Sequence, residues 1–237
     1  MARRRVVIDF LPEAARDYGP GWAVVAIDIM RATTTAVTIV WSGRRCFPVP
    51  TLVAAREVAS RLERPLLVGE VGGDLPEGFD LQNSPTALAR MGEPERPAVL
   101  ISSSGTRLLH EARAADAVYA ACLRNVAAQV AHLAAHHPRV AVIGAGTKGE
   151  FRREDQLGCA RVAEGLLEHG YEAHDDATRT VVERWREAPV DACAGGRSTA
   201  YLERTDQLED LDFILSHVDD VDGVFALAEG ELQAVPG

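Results

Sequence analysis

Residues 22–42 read WAVVAIDIMRATTTAVTIVWS. The first eight are apolar but for one acid, and they lack the polar alternation of a strand with one wet face. A strand over 22–29, covered on both sides, is the expectation. From Ala32 onward helix formers and β-branched residues continue to Ser42, and Gly43 can end a helix in the left-handed region. A doubly covered strand feeding straight into a helix opens a βαβ unit, so this stretch sets the fold class as α/β.

The same alternation extends outward in both directions. Further strands are expected over 4–9, 45–49, 65–69, 98–102, 117–120 and 140–143, and helices over 32–42, 52–62, 85–90, 106–112 and 126–136. Thr51 and Ser84 suit N-caps, and Pro85 suits a first helical position. Beyond Gly149 the texture becomes helical, over 154–169, 176–187 and 208–217. A hairpin then turns at Glu229-Gly230 between 224–228 and 232–235. The expectation is one compact three-layer α/β/α domain over 1–237, with a mainly parallel or mixed sheet and a helical C-terminal portion.

The chain has 237 residues, a formal net charge of −10 and 47% apolar residues. That length can bury a sizeable core. A net negative protein is a poor match for a nucleic-acid backbone, which calls for a basic surface. No apolar run approaches the roughly 18 residues of a membrane span, and Asp9 and Pro12 interrupt the stretch behind the basic start Met1-Ala2-Arg3-Arg4-Arg5. Cys46, Cys122, Cys159 and Cys193 form no C-x-x-C pair and read as reduced, buried thiols. A cytoplasmic location is the expectation, and assembly into a homo-oligomer such as a dimer is compatible with the sequence.

In parallel sheets ligands gather beyond the carboxyl ends of the strands. Asp28, Arg31 and Thr33, Thr34 and Thr35 follow the 22–29 strand, where a helix start, hydroxyls and a guanidinium suit an oxyanion. Glu70 follows the next such end, and Asp80 sits in the Gly/Pro-rich loop behind it. These are hard oxygen ligands of the kind Mg²⁺ prefers. Ser103, Ser104, Gly105 and Thr106 form a second hydroxyl-and-glycine turn. Asn125 is either a cap or a ligand contact. Residues 144–155 read GAGTKGEFRRED. They contain a formal G-x-G-x-x-G, which keeps a nucleotide-dependent oxidoreductase open. Alternatively Lys148 adds positive charge, and Glu154 and Asp155 serve a metal or a water. His132 and His136 are spaced for zinc but lack a third ligand.

The blocks at 28–35, at 69–70 with 78–85, at 103–106 and at 144–155 resemble, in order, the motifs of the 2-phosphosulfolactate phosphatase family. The resemblance covers most of the chain and implies an α/β/α fold, Mg²⁺ dependence and hydrolysis of a phosphate ester beside a carboxylate and a sulfonate. On that footing Asp28, Glu70, Asp80 and Asp155 are the expected metal ligands. Arg31 and Thr33–Thr35 would hold the phosphoryl oxygens, Ser103–Thr106 the carboxylate end, with Asn125 and Lys148 as further contacts. Glu154 or Asp155 would position water or protonate the leaving oxygen, and Asp28 is alternatively a nucleophile. The chain departs from the family at Val71, where an arginine is usual, at Ser104, where an asparagine is usual, and at Gly144, where a cysteine is usual. Each lost charge-assisted bond is worth about 1.5–3 kcal/mol, so weaker selection for the sulfonate is expected. A small phosphate ester is the expected partner, with no nucleic acid and no membrane. A non-catalytic binder of a phosphorylated metabolite is the remaining alternative.

Overall fold

The computed structural model describes residues 3–236. Met1 and Ala2, part of the basic start, lie outside them, as does Gly237. The described strands are β1 (Arg5–Phe10), β2 (Ala23–Ile27), β3 (Cys46–Val49), β4 (Leu66–Gly69), β5 (Ala98–Ile101), β6 (Ala117–Ala121), β7 (Arg139–Gly144), β8 (Glu172–Ala173), β9 (Phe225–Ala228) and β10 (Glu231–Ala234). All belong to one mixed sheet in the order β4-β5-β3-β10-β9-β6-β2-β7-β1-β8. The helices are α1 (Ala32–Trp41), α2 (Leu52–Ala59), α3 (Pro85–Arg90), α4 (Gly105–Glu111), α5 (Val126–His136), α6 (Arg153–Glu168), α7 (Asp176–Trp185), α8 (Arg197–Arg204) and α9 (Leu208–Ser216). They surround the sheet, as the α/β/α expectation requires.

The apolar runs explain the middle of the sheet. Every residue of β2 is buried, as are Val140 to Gly144 of β7, because strands covered on both faces have no solvent side to keep polar. Thr51 accepts a hydrogen bond from the Ala54 amide at the start of α2, and Ser84 accepts one from the Ala87 amide with Pro85 at the first position of α3. Gly43 takes φ +82° directly after α1. The four cysteines are free and buried.

The C-terminal hairpin is the main departure from a simple doubly wound order. Instead of lying at an edge it is stitched between two parallel blocks, β4-β5-β3 and β6-β2-β7-β1-β8. Its turn residues Glu229 and Gly230 both have positive φ, the two-residue turn whose twist suits adjoining strands. Three successive antiparallel junctions, β3 to β10, β10 to β9 and β9 to β6, make the two blocks run in opposite senses along the ladder. A flat sheet would put their carboxyl ends at opposite edges. Those ends nevertheless line one cleft, so the sheet must coil through the hairpin, where a narrow ribbon twists most readily. The thin pairing there, a single residue pair between β10 and β3, fits such a bend.

No helix among the described residues is long and apolar enough to cross a membrane.

Candidate active site

The cleft has a volume of about 850 Å³. It takes residues from beyond β2, β4, β5 and β7, together with side chains of α8. Asp28 follows β2 at its floor. One oxygen, Oδ1, accepts from the Ala32 amide at 3.2 Å, so the first turn of α1 is already spent on this acid. The other faces Gly105, where an added Cβ would stand 2.5 Å from Oδ2 and 2.6 Å from the Ala32 Cβ. Glycine is required there to leave the carboxylate room.

Two more acids join Asp28 from the first turn of α6. Glu154 and Asp155 are each only 3% exposed. Asp155 spans two strand ends, accepting from the Ile29 amide at 3.0 Å with Oδ1 and from the Gly146 amide at 3.0 Å with Oδ2. Burial pushes Asp28 up to about 7, and the charges of Glu70 and Glu154 push the same way against the Ala32 amide and Arg31. Burial first, then Asp28 and Glu154, holds Asp155 well above the usual carboxylate range. Glu154 is raised chiefly by burial, opposed by a hydrogen bond from Ser198. Three crowded acids of this kind cannot all ionise unless a cation or shared protons offset them.

Around this acidic floor stands a cationic rim of Arg31, Arg107, Lys148, Arg152, Arg197 and Arg204. Most are tied to nearby acids. Arg107 donates to Glu13 at 2.5 Å, Arg152 to Glu150 at 2.7 Å, and Arg197 to the other oxygen of Glu150 at 2.5 Å. Arg31 is buried and pairs with Asp210 of α9. Lys148, the chain's single lysine, is exposed and has no partner among the described residues. An anionic ligand therefore meets positive charge at the mouth and carboxylates beneath.

The residues expected at the site divide into two groups. Asp28, Arg31, Glu70, Ser103, Ser104, Lys148, Glu154 and Asp155 line the cleft. Glu70 also braces its wall: Oε1 accepts from the Ser103 amide at 2.7 Å, and Oε2 accepts from the Ser103 hydroxyl at 2.8 Å and the Gly73 amide at 2.7 Å. Gly105 lies beneath, against Asp28. The others are placed elsewhere. Asp80 is exposed and accepts from the Leu67 amide at 2.8 Å, clamping the β4 edge. Thr33 Oγ1 donates to the Asp28 carbonyl and Thr34 Oγ1 to the Ile29 carbonyl, both at 2.9 Å. Thr35 Oγ1 is buried without a partner. The Thr33 and Thr34 hydroxyls point inward because the strand-to-helix turn leaves carbonyls to satisfy, a use for which threonine is well shaped. Thr106 Oγ1 serves the Ser102 backbone in the same way. Asn125 Oδ1 accepts from the Cys122 amide and Nδ2 donates to the Gly223 carbonyl, so it acts as a cap and a tie to the C-terminal segment.

The Gly144–Gly149 loop does not present a dinucleotide cradle. A Cβ at Gly144 would meet Phe151 at 2.4 Å, and the Gly146 amide is spent on Asp155. The helix beyond opens on two buried acids, which would repel a pyrophosphate. Among the described residues no three His, Cys, Asp or Glu side chains form a ready-made metal cage. Any ion here would keep several waters, as Mg²⁺ does.

Sequence reasoning missed α8. Ser198 meets Glu154, and the Tyr201 hydroxyl donates to the Gly73 carbonyl, tying the helix to the Glu70 loop. The helix is only eight residues long and Leu202 is its one buried residue, too short a stretch for its spacing to separate a helix from a loop.

A family model described as 2-phosphosulpholactate phosphatase matches residues 9–230, from β1 to the hairpin turn. A probable 2-phosphosulfolactate phosphatase of Deinococcus radiodurans is 34% identical over 214 residues, covering 88% of each chain. One of Synechococcus sp. (strain CC9605) is 32% identical over 207 residues, covering 84% of this chain and 85% of the relative. One of Caldanaerobacter subterraneus is 29% identical over 213 residues, covering 87% and 88%.

Proposed function

The chain belongs to the 2-phosphosulpholactate phosphatase family, a family of phosphoric monoester hydrolases, and we propose that it hydrolyses the phosphate ester of a small hydroxy acid with the help of Mg²⁺. The ester is 2-phosphosulfolactate or a close relative of it. The observation that carries this reading is the crowding of Asp28, Glu154 and Asp155 beneath a cationic rim.

The donor set fits a hard cation. Asp28, flanked by Glu70 and Asp155, would hold Mg²⁺ together with waters, which leaves Glu154 for proton transfer. When bound it would neutralise charge on the phosphoryl oxygens and orient them. The chain's own groups do the rest. Lys148 and Arg152 draw the phosphoryl group to the floor and offset its charge. Burial raises Glu154 above the usual carboxylate range, so it can carry a proton, which it gives to the leaving oxygen as the P–O bond breaks and water adds to phosphorus. Asp155 does not need to touch the ester: its two amide contacts fix the ends of β2 and β7 against each other.

The test is phosphate release from 2-phosphosulfolactate and from 2-phospholactate, with Mg²⁺ and after metal stripping. Turnover that needs the added ion is expected. Full turnover in excess EDTA would remove the metal from the reading. Tight binding of both esters with no phosphate release would make the chain a binder of phosphorylated acids instead.

A further inference from the structure

We propose that Arg31 and Asn83 form a subsite for the carboxylate of the ester, and that Asp210 is the positioning residue that keeps the two together. The ligand class rests on the phosphatase reading; the subsite itself rests on unspent hydrogen-bonding groups.

Asn83 lines the cleft and is 3% exposed, yet its carboxamide makes no hydrogen bond to any described residue. Its Oδ1 is buried without a partner. Buried amides are ordinarily satisfied; here the Nδ2 end is not among the buried unpaired atoms and bonds to no described residue, so it is the end left open to a ligand. The loop itself is not loose. The next residue, Ser84, donates its hydroxyl to Asp210 Oδ1 at 2.7 Å.

The other oxygen of Asp210 accepts from Arg31 Nη1. Arg31 also donates to Gln207 Oε1 at 2.5 Å, again through Nη1. Both bonds leave from one nitrogen, so the Nε–Nη2 edge has no partner among the described residues. Two parallel N–H groups on that edge match the two oxygens of a carboxylate. Asn83 Nδ2 supplies a third unspent donor on the same wall. Asp210 thus bonds the Asn83 loop with one oxygen and Arg31 with the other, and sets their separation. In the Ser103–Thr106 turn, Ser103 is spent on Glu70 and Thr106 on Ser102, so of its three hydroxyls only that of Ser104 lacks a partner among the described residues.

The experiment is calorimetric titration of the full chain with three probes: sulfolactate, isethionate (the same hydroxy sulfonate without a carboxylate) and inorganic phosphate. Asn83→Ala should weaken sulfolactate about tenfold and leave the other two within twofold. Asn83→Ser, which keeps a donor, should lose less. Asp210→Asn should also weaken sulfolactate, and adding it to Asn83→Ala should cost less than the sum of the single losses. Should Asn83→Ala not fold, Arg31→Lys carries the comparison, keeping the charge and losing the planar edge: sulfolactate falls and phosphate holds. The proposal is overturned if sulfolactate is unmoved, if all three probes weaken alike, or if the wild type binds no sulfolactate. Carboxylate discrimination without any ester turnover would instead sink the phosphatase reading and leave the subsite standing.

Discussion

Arg31 is held by a carboxylate 179 residues further along the chain, Asp210 of α9. Their side chains are 4% and 3% exposed. Breaking such a pair by deleting one member leaves a buried charge uncompensated, at about 3–5 kcal/mol. Asp210→Ala should therefore lower unfolding free energy by about that amount in urea titration. The double change Arg31→Leu with Asp210→Leu should recover most of it, because no charge is then stranded. A loss confined to the edge of the error in Asp210→Ala would show that water reaches the pair.

Gly105 makes a second, purely steric prediction. An alanine Cβ would stand 2.5 Å from Asp28 Oδ2, a distance real side chains do not tolerate. The backbone of α4 is regular there and has no need of a left-handed residue, so the fold should survive Gly105→Ala with a cost of about 1–3 kcal/mol from overpacking. Asp28 has to move, and kcat/KM should fall by about a hundredfold, as misplacement of a reacting group by an ångström commonly does. An enzyme with unchanged kcat/KM and an unchanged melting temperature would mean that Asp28 is not the floor of the reaction site.

The strand ends were legible because chain chemistry changes abruptly there. Asp28, Glu70, Ser103 and Asp155 each follow an apolar run or open a helix with a charge, and all four meet in the cleft. The threonines misled for a physical reason: a hydroxyl near a helix start can face a ligand or its own backbone, and 28–35 supplies free carbonyls for the second use. Asp80 misled because a loop acid beside a strand end can equally clamp an edge amide. Contacts across long separations left no local trace. Asp210 has nothing around it that announces Arg31, and α8 is too short, with Leu202 its one buried residue, to announce itself. The hairpin read correctly as a hairpin, but its insertion between β3 and β6 is a tertiary choice that its own residues do not encode. Val71 also stands apart from expectation: it is 44% exposed, pairs with Asp74 in a tight turn and does not line the cleft. Val71→Arg should accordingly leave the ratio of kcat/KM between 2-phosphosulfolactate and 2-phospholactate within twofold; a larger shift would place that loop over the ligand.

The carboxylate floor gives metal-free protein a distinctive pH response. Burial raises Asp28 to about 7, above the roughly 3.9 of an unfolded aspartate. A raised carboxyl contributes stability that is fully present below the unfolded value and is lost as pH rises through the folded value. In EDTA the melting temperature should thus decline as pH rises from about 4 through 7. Asp28→Asn should flatten that decline. Mg²⁺ should raise the melting temperature most at the alkaline end, where the acids are ionised and ready to bind it. A metal-free protein that gains stability over the same range would refute the crowded-floor account.

Lys148 allows a prediction that is chemically selective. It is the single lysine of the chain, sits exposed at the cleft mouth with φ +52°, and has no partner among the described residues. A non-glycine residue held at positive φ is strained, and here the bend aims the loop of 146–149 at the cleft. A free ammonium above a carboxylate floor has a dianionic phosphoryl group as its natural counterpart, though its exposure keeps the interaction to about 1 kcal/mol, or roughly fivefold. Lys148→Ala should raise KM about fivefold and leave kcat within threefold, and the KM effect should shrink as ionic strength rises, since exposed charges are screened. Lys148→Arg should restore most of the loss. Because no other side-chain amine exists, acetylation of the ε-amine can be followed as one mass increment beside that of the N-terminus. Inorganic phosphate should slow acetylation at Lys148 and leave the N-terminus unaffected. Equal rates with and without phosphate, together with an unaltered KM in Lys148→Ala, would mean that the ligand sits deeper, against Arg152 and the acidic floor alone.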